Sequence, residues 1–352
     1  MTTTTHSPAA TTADPADPAD PRARRRRDAR PFLGSLAIAA CVPYLTLKIA
    51  WLAGSHVGIP EGSELRTPEG EDGLFAANAM TAVMDALVIV LVLALTRAWG
   101  RRLPAWLVIT PLWVATGLLA PILVGFPSMT LIEAFSGSPA SSGQDEIFLD
   151  PWVFTAVYTG FGVQALALGG LFTLYVRDRF GHLLSGRLAA LAPAATAAAQ
   201  RAGAGAAVLV LTFPAGMNAL WLAGGTAGLS EAERGERDAL FHLTSATSVL
   251  FALAAAAGVL LLAFRPRRLG GVRVFTAVAA AWVGGAATAN WGGWLLTAEV
   301  FNSGAVSGAE RATPLVTLVH TAAVIAGVLV LAVGAHLFAE RAAHAPAPRQ
   351  AP

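Results

Sequence analysis

Two side chains stand out as capable of acid–base or ion-pair chemistry: Lys48, in "YLTLKIAWLAG", and Asp85, in "AMTAVMDALVIV". Each is the single formal charge in a long apolar run, and Lys48 is the only lysine among 24 Lys and Arg. A lone charge inside a bilayer costs at least about 2.5–3.5 kcal/mol, so such residues pair, face a wet cavity or reach toward headgroups. Tyr44, Lys48 and Trp51 share one face of a helix, and Asn78, Thr81 and Asp85 form a polar stripe on another. Asn290, in "ATANWGGWLL", is a further polar residue in an apolar run. Together Lys48, Asp85, Asn78, Thr81, Tyr44 and Asn290 make a candidate intramembrane polar site. His56, His242 and His320 fall near helix ends on one side and form a candidate metal or haem set. They lack signature spacing, and interfacial histidine is the simpler reading. Neither a Gly-rich phosphate loop nor a nucleophile elbow is present, and Cys41 is the only cysteine, so no cofactor is expected.

The elements that position these residues are membrane helices. Of 352 residues 55% are hydrophobic and 13% charged, with a mean hydropathy of +0.58, which predicts an all-α membrane protein. Eight runs approach the ~20 residues that span a bilayer: about 32–54, 74–96, 103–126, 152–176, 204–225, 240–264, 274–297 and 314–338. Arginine divides unevenly between the two sides. Only Arg66, Arg234, Arg237 and Arg311 fall in loops on one side, while most acidic residues fall there. That bias predicts a multi-pass cell-membrane protein with both termini in the cytoplasm. Residues 1–31, with "TTADPADPADP" and "RARRRRDAR", read as a disordered cytoplasmic tail, and 343–352 as a second. The arginine run suits anionic headgroups, and no nucleic-acid partner is expected. A competing reading takes "IAAC" as a lipoprotein cleavage site with Cys41 acylated. Apolar sequence continues well past Cys41, which favours an uncleaved span.

The two charges also point at each other. Lys48 lies ~9 Å, and Asp85 ~16 Å, below the outer ends of their helices. The helices run in opposite directions and side chains lean toward their own N-termini, so Lys48 leans inward and Asp85 outward. An ion pair follows, unless Lys48 snorkels to the outer headgroups. The pair can be functional, or it can simply hold two helices in register.

A duplication is also visible. Trp51-Leu52-Ala53-Gly54 matches Trp221-Leu222-Ala223-Gly224, and the following landmarks keep step: "GLF" at 73–75 with "ALF" at 239–241, Arg101-Arg102 with Arg267-Arg268, Trp113-Val114 with Trp282-Val283, Asp178-Arg179 with Glu340-Arg341. Two tandem parallel four-helix repeats follow, 32–180 and 204–342, joined by a cytoplasmic linker at 181–203. Repeated membrane-helix composition is the alternative. By these offsets Lys48 maps to Asn218 and Asp85 to Phe251, so the second repeat lacks both charges. Pro43 and Pro214, with Pro121 opposite Asn290, predict interrupted helices at matched places.

Through its Ala/Gly/Arg bias and the "LKIAWLAG" and "ALWLAGG" motifs, the helical region resembles the uncharacterised multi-pass membrane proteins of actinobacteria. That resemblance implies no activity. From the residues, three expectations remain. The first is a small-solute or ion transporter, or the membrane subunit of one, working through Lys48 and Asp85. The second is a non-transporting scaffold or sensor, joined to a membrane protein partner or a second copy through small-residue helix faces. The third is a membrane enzyme with an outer-face metal. The lipid bilayer is a partner in all three.

Overall fold

The computed structural model describes residues 21–136, 149–191, 195–235, 237–302 and 312–344. They fold into long helices α1 (Pro21–Leu52), α2 (Pro68–Thr96), α3 (Ala105–Ser136), α4 (Pro151–Leu184), α5 (Ala197–Leu222), α7 (Ala239–Phe264), α8 (Val274–Asn302) and α9 (Pro314–His344), with a short α6 (Glu231–Gly235) between α5 and α7. Among the described residues there is no strand, only an isolated bridge between Arg187 and Arg273. An all-helical backbone is what a bilayer demands, because every amide must be satisfied within its own segment.

Seven helices are long and apolar enough to cross a membrane. The segment that falls short is α8, which carries Asn290, Gly284, Gly285, Gly292 and Gly293. Its place in the fold explains its composition. Helix α8 packs against α3, α7 and α9, and Ala277, Ala286, Ala287 and Ala289 are buried along it. A helix enclosed by other helices has little lipid-facing surface to make apolar, and small residues let its neighbours approach closely.

Several boundaries differ from the sequence expectation. Helix α1 starts at Pro21, so residues 21–31, expected in a disordered tail, are helical; arginine is a good helix former. Residues 1–20 and 345–352, the remainder of the expected tails, lie outside the described residues. Helix α3 runs to Ser136 and α4 to Leu184, both beyond the expected ends. The helices expected to be interrupted are continuous through Pro43, Pro121 and Pro214. A proline forfeits one backbone hydrogen bond, a defect that neighbouring groups in a membrane bundle can compensate.

Packing divides the bundle into α1–α4 and α5–α9, with α3 against α8 as the main contact between the halves. There Trp282 Nε1 donates to Thr116 Oγ1 at 3.3 Å, and the Trp282 ring lies 5.1 Å from that of Phe172. Gly117 of α3 sits against the Ala286 carbonyl, a spot with no room for a Cβ.

Each half closes one end with the same turn. Trp51 Nε1 donates to the Val57 carbonyl at 2.8 Å, and Trp221 Nε1 to the Ala227 carbonyl at 2.9 Å. Gly54 and Gly224 follow with φ of 85° and 101°, Gly58 and Gly228 with φ of 76° and 81°. These are left-handed positions where glycine avoids the Cβ clash. The tryptophans are buried staples of these turns. Trp221→Phe strips the turn of its donor and leaves a carbonyl unpaired, so it should cost about 1–3 kcal/mol. Thermal unfolding in detergent micelles checks this, and Trp51→Phe should lower the midpoint similarly. No shift in either variant would remove the staple role.

Candidate functional site

Helices α1 and α2 are antiparallel neighbours, and they bring Lys48 and Asp85 together. Lys48 is 1% exposed and Asp85 6%, and Lys48 Nζ donates to Asp85 Oδ2 at 2.6 Å. The ammonium also sits 3.6 Å from the centroid of the Tyr44 ring, one turn before it on α1. The negative face of that ring and the carboxylate together replace much of the hydration that Lys48 gives up. Tyr44 is fixed in turn by Phe161 of α4, edge-on at 5.1 Å.

The rest of the α2 stripe is built differently from the pair. Thr81 Oγ1 donates within its own helix to the Ala77 carbonyl at 2.7 Å. Asn78 is 5% exposed, and its Nδ2 has no hydrogen-bond partner among the described residues. Asn290 does not join this group. Its Nδ2 donates to the Ala286 carbonyl at 2.9 Å and reaches the Trp113 carbonyl at 3.5 Å, so it serves the α3–α8 contact. Helix rotation decides this, and apolar sequence leaves rotation unmarked.

Toward the other end of α1 lies a polar contact that sequence reasoning missed. Gln164 of α4 is 2% exposed, and its Nε2 donates to Cys41 Sγ at 3.3 Å. The thiol in turn donates to the Ala37 carbonyl at 3.3 Å. The available signal was a single amide inside the apolar run "GVQALALGG". Cys41 is buried within α1.

The histidines do not converge. Among the described residues no three His, Cys, Asp or Glu are grouped to hold a metal, which removes His56, His242 and His320 as a metal set. His56 is exposed, and His320 is engaged elsewhere. His320 Nδ1 lies 2.7 Å from Glu299 Oε1, while Thr317 Oγ1 donates to Glu299 Oε2 at 2.8 Å.

His320 lines a cavity of about 250 Å³ enclosed by α5, α7, α8 and α9, with Pro121 of α3 at its wall. Its polar lining includes Asn218, Thr247, Ser248 and Thr288, and its aromatic walls are Trp221, Phe241, Phe251 and Trp291. Most of these polar protons are committed. The Asn218 amide donates to the Pro214 carbonyl, Thr247 Oγ1 to the Thr244 and Leu243 carbonyls at 2.9 and 3.0 Å, and Ser248 Oγ to the Thr244 carbonyl at 2.9 Å. The Thr247 and Ser248 hydroxyls have oxygen lone pairs left to offer, and Asn218 keeps its amide oxygen and a second N–H. Thr288 Oγ1 is buried with no partner among the described residues.

Two residues of its lining, Asn218 and Phe251, are those that the sequence offsets align with Lys48 and Asp85. Asn218 precedes Trp221 as Lys48 precedes Trp51, and Phe251 follows the "ALF" landmark as Asp85 follows "GLF". Each half also carries a polar contact between its first and last long helices. Arg30 bonds Asp178 at 2.5 Å, and Gln200 bonds Glu340 at 2.6 Å. No known family, curated protein or solved structure matches the chain.

Proposed function

We propose that this integral membrane protein binds and moves a small solute or ion, alone or as the membrane subunit of a larger assembly. In this reading α8 is an eighth crossing, the halves are duplicated four-helix units, and the uneven arginine distribution places both termini on the cytoplasmic side of the cell membrane. The observation that carries it is the cavity of about 250 Å³ lined by Asn218 and Phe251, the residues that the sequence offsets align with Lys48 and Asp85. One unit is locked by charge, and the other is left hollow and polar. A lining of acceptor oxygens and aromatic faces suits a ligand that donates hydrogen bonds or carries positive charge, such as a small ammonium compound or a cation.

Cysteine accessibility tests this. The chain has one cysteine, so Ser248→Cys in a Cys41→Ala background gives a single reporter inside the cavity. In right-side-out vesicles a membrane-impermeant thiol reagent added outside should label it within minutes. A solute that fills the cavity should slow the labelling. Labelling that needs denaturation would end the transport reading. It would favour a scaffold, to which the sealed Lys48–Asp85 pair and the close glycine contacts of α3 and α8 are equally suited.

A further inference from the structure

A second recess lies at the opposite end of the same half, where α7 ends and α5 begins. It measures about 550 Å³ and is lined by Gln200, Arg201, Arg265 and Arg267 with Leu188 and Phe264. Two loops are clamped together to form it. Leu188 N donates to the Val272 carbonyl at 2.9 Å, Ala189 N to the Gly270 carbonyl at 3.1 Å and Val274 N to the Gly186 carbonyl at 3.1 Å.

Arg265 holds an unusual backbone. Its φ is 46°, the only positive φ of a non-glycine among the described residues, where the Cβ of an L residue clashes. Left-handed C-caps normally fall to glycine, so an arginine there is kept at a conformational cost, and such outliers cluster at binding sites. Its Nε donates to the Leu262 carbonyl at 3.3 Å, which turns the side chain back over the end of α7.

Charges of both signs surround it. Arg201 and Arg341 both lie close enough to Arg265 for like-charge repulsion. Arg341 Nη1 is buried with no partner among the described residues. The nearby acidic group is Glu340, whose carboxylate already accepts from Thr196 N at 3.2 Å, Thr196 Oγ1 at 3.0 Å and Gln200 Nε2 at 2.6 Å. The recess brings Arg201, Arg265 and Arg267 to one wall, and the several acceptor oxygens of a phosphate match guanidinium geometry. Phe264 in its wall, and Leu269 next in the chain to its lining residue Gly270, expose apolar side chains where the apolar span ends.

We propose that this recess binds a phosphate group, that of an anionic phospholipid whose acyl chains lie along Phe264 and Leu269 or that of a soluble phosphate compound. The site stands independently of the solute cavity. Only its assignment to the cytoplasmic leaflet rests on the orientation proposed above.

The test uses the full chain, delipidated in a neutral detergent and read by thermal unfolding and native mass spectrometry. Dioleoylphosphatidylglycerol should raise the unfolding midpoint and persist as an adduct, whereas dioleoylphosphatidylcholine should do neither. Arg265→Gly with Arg267→Gln keeps a residue that accepts the left-handed backbone while removing two charges. It should weaken the phosphatidylglycerol effect by roughly tenfold or more. Arg201→Gln, on a different helix, should act in the same direction and carries the test if the double variant does not fold. A midpoint shift with millimolar inorganic phosphate but none with phosphatidylglycerol supports the site with a soluble ligand. No shift with either probe, or a phosphatidylglycerol effect unchanged in the variants, overturns the proposal.

Discussion

Replacing Asp85 by asparagine should destabilise the protein by about 3–5 kcal/mol, because it strands the Lys48 ammonium at a place that is 1% exposed. Lys48→Met, which strands the carboxylate instead, should cost a similar amount. The informative variant removes both. With Lys48→Met and Asp85→Leu, an ion pair of good geometry is exchanged for apolar groups of comparable volume, and such exchanges are often neutral or stabilising. The double variant should therefore unfold within about 1 kcal/mol of the parent, a large departure from the sum of the single losses. Denaturation in mixed micelles measures all four proteins. Single variants indistinguishable from the parent would show that the pair does not hold α1 against α2. Because the double variant remains folded, it also separates the two roles of the pair. Loss of solute-dependent Ser248→Cys protection in a folded double variant would assign the pair a part in gating.

The second large effect is expected at the α7–α8 crossing. A Cβ on Gly284 would fall on the Ala255 amide nitrogen and the Phe251 carbonyl, and one on Gly258 on the Ala281 amide. Backbone meets backbone at both points, so no flexible side chain can move aside. Gly284→Val should cost about 3 kcal/mol or more, at the upper end of overpacking penalties. Gly181→Ala is the control, since nothing lies within 4 Å of its added Cβ. It should be neutral or slightly stabilising through helix propensity. Loss of folded yield in Gly284→Val but not in Gly181→Ala is the expected result, read by size-exclusion profile and unfolding midpoint. Equal behaviour of the two would mean that the close crossing is not required. Because Phe251 also lines the cavity, a milder Gly284→Ala variant should alter Ser248→Cys labelling before it prevents folding.

How far the sequence reaches depends on the kind of signal each residue leaves. A charge in an apolar run leaves a strong one. Lys48 and Asp85 stand alone in their segments, and helix direction with side-chain lean aims them at each other. The Trp51 and Trp221 turns are legible for a similar reason, since glycine at left-handed positions marks the backbone directly. Asn290 shows where this ends. The sequence offsets align it with Pro121, yet it turns to Trp113 and the α3–α8 contact rather than to Asp85. In an amphipathic soluble helix the polar stripe would fix which side faces in. Here lipid-facing and protein-facing sides are both apolar, and rotation about the helix axis is set only by close packing. The same ambiguity hid the Gln164–Cys41 contact and the enclosure of α8.

The sequence alone thus settled the all-helical membrane character, the approximate helix positions and the presence of two intramembrane charges, all of which follow from local composition against a fixed bilayer thickness. Tertiary structure decided what fills the space between helices: an ion pair sealed against Tyr44 in one half, and a hollow lined by Asn218, Ser248 and His320 in the other. It also decided that arginines far apart in the chain, Arg201, Arg265 and Arg341, crowd one helix end. Cavities and like-charge clusters are properties of the gaps among several helices, and no single segment encodes them.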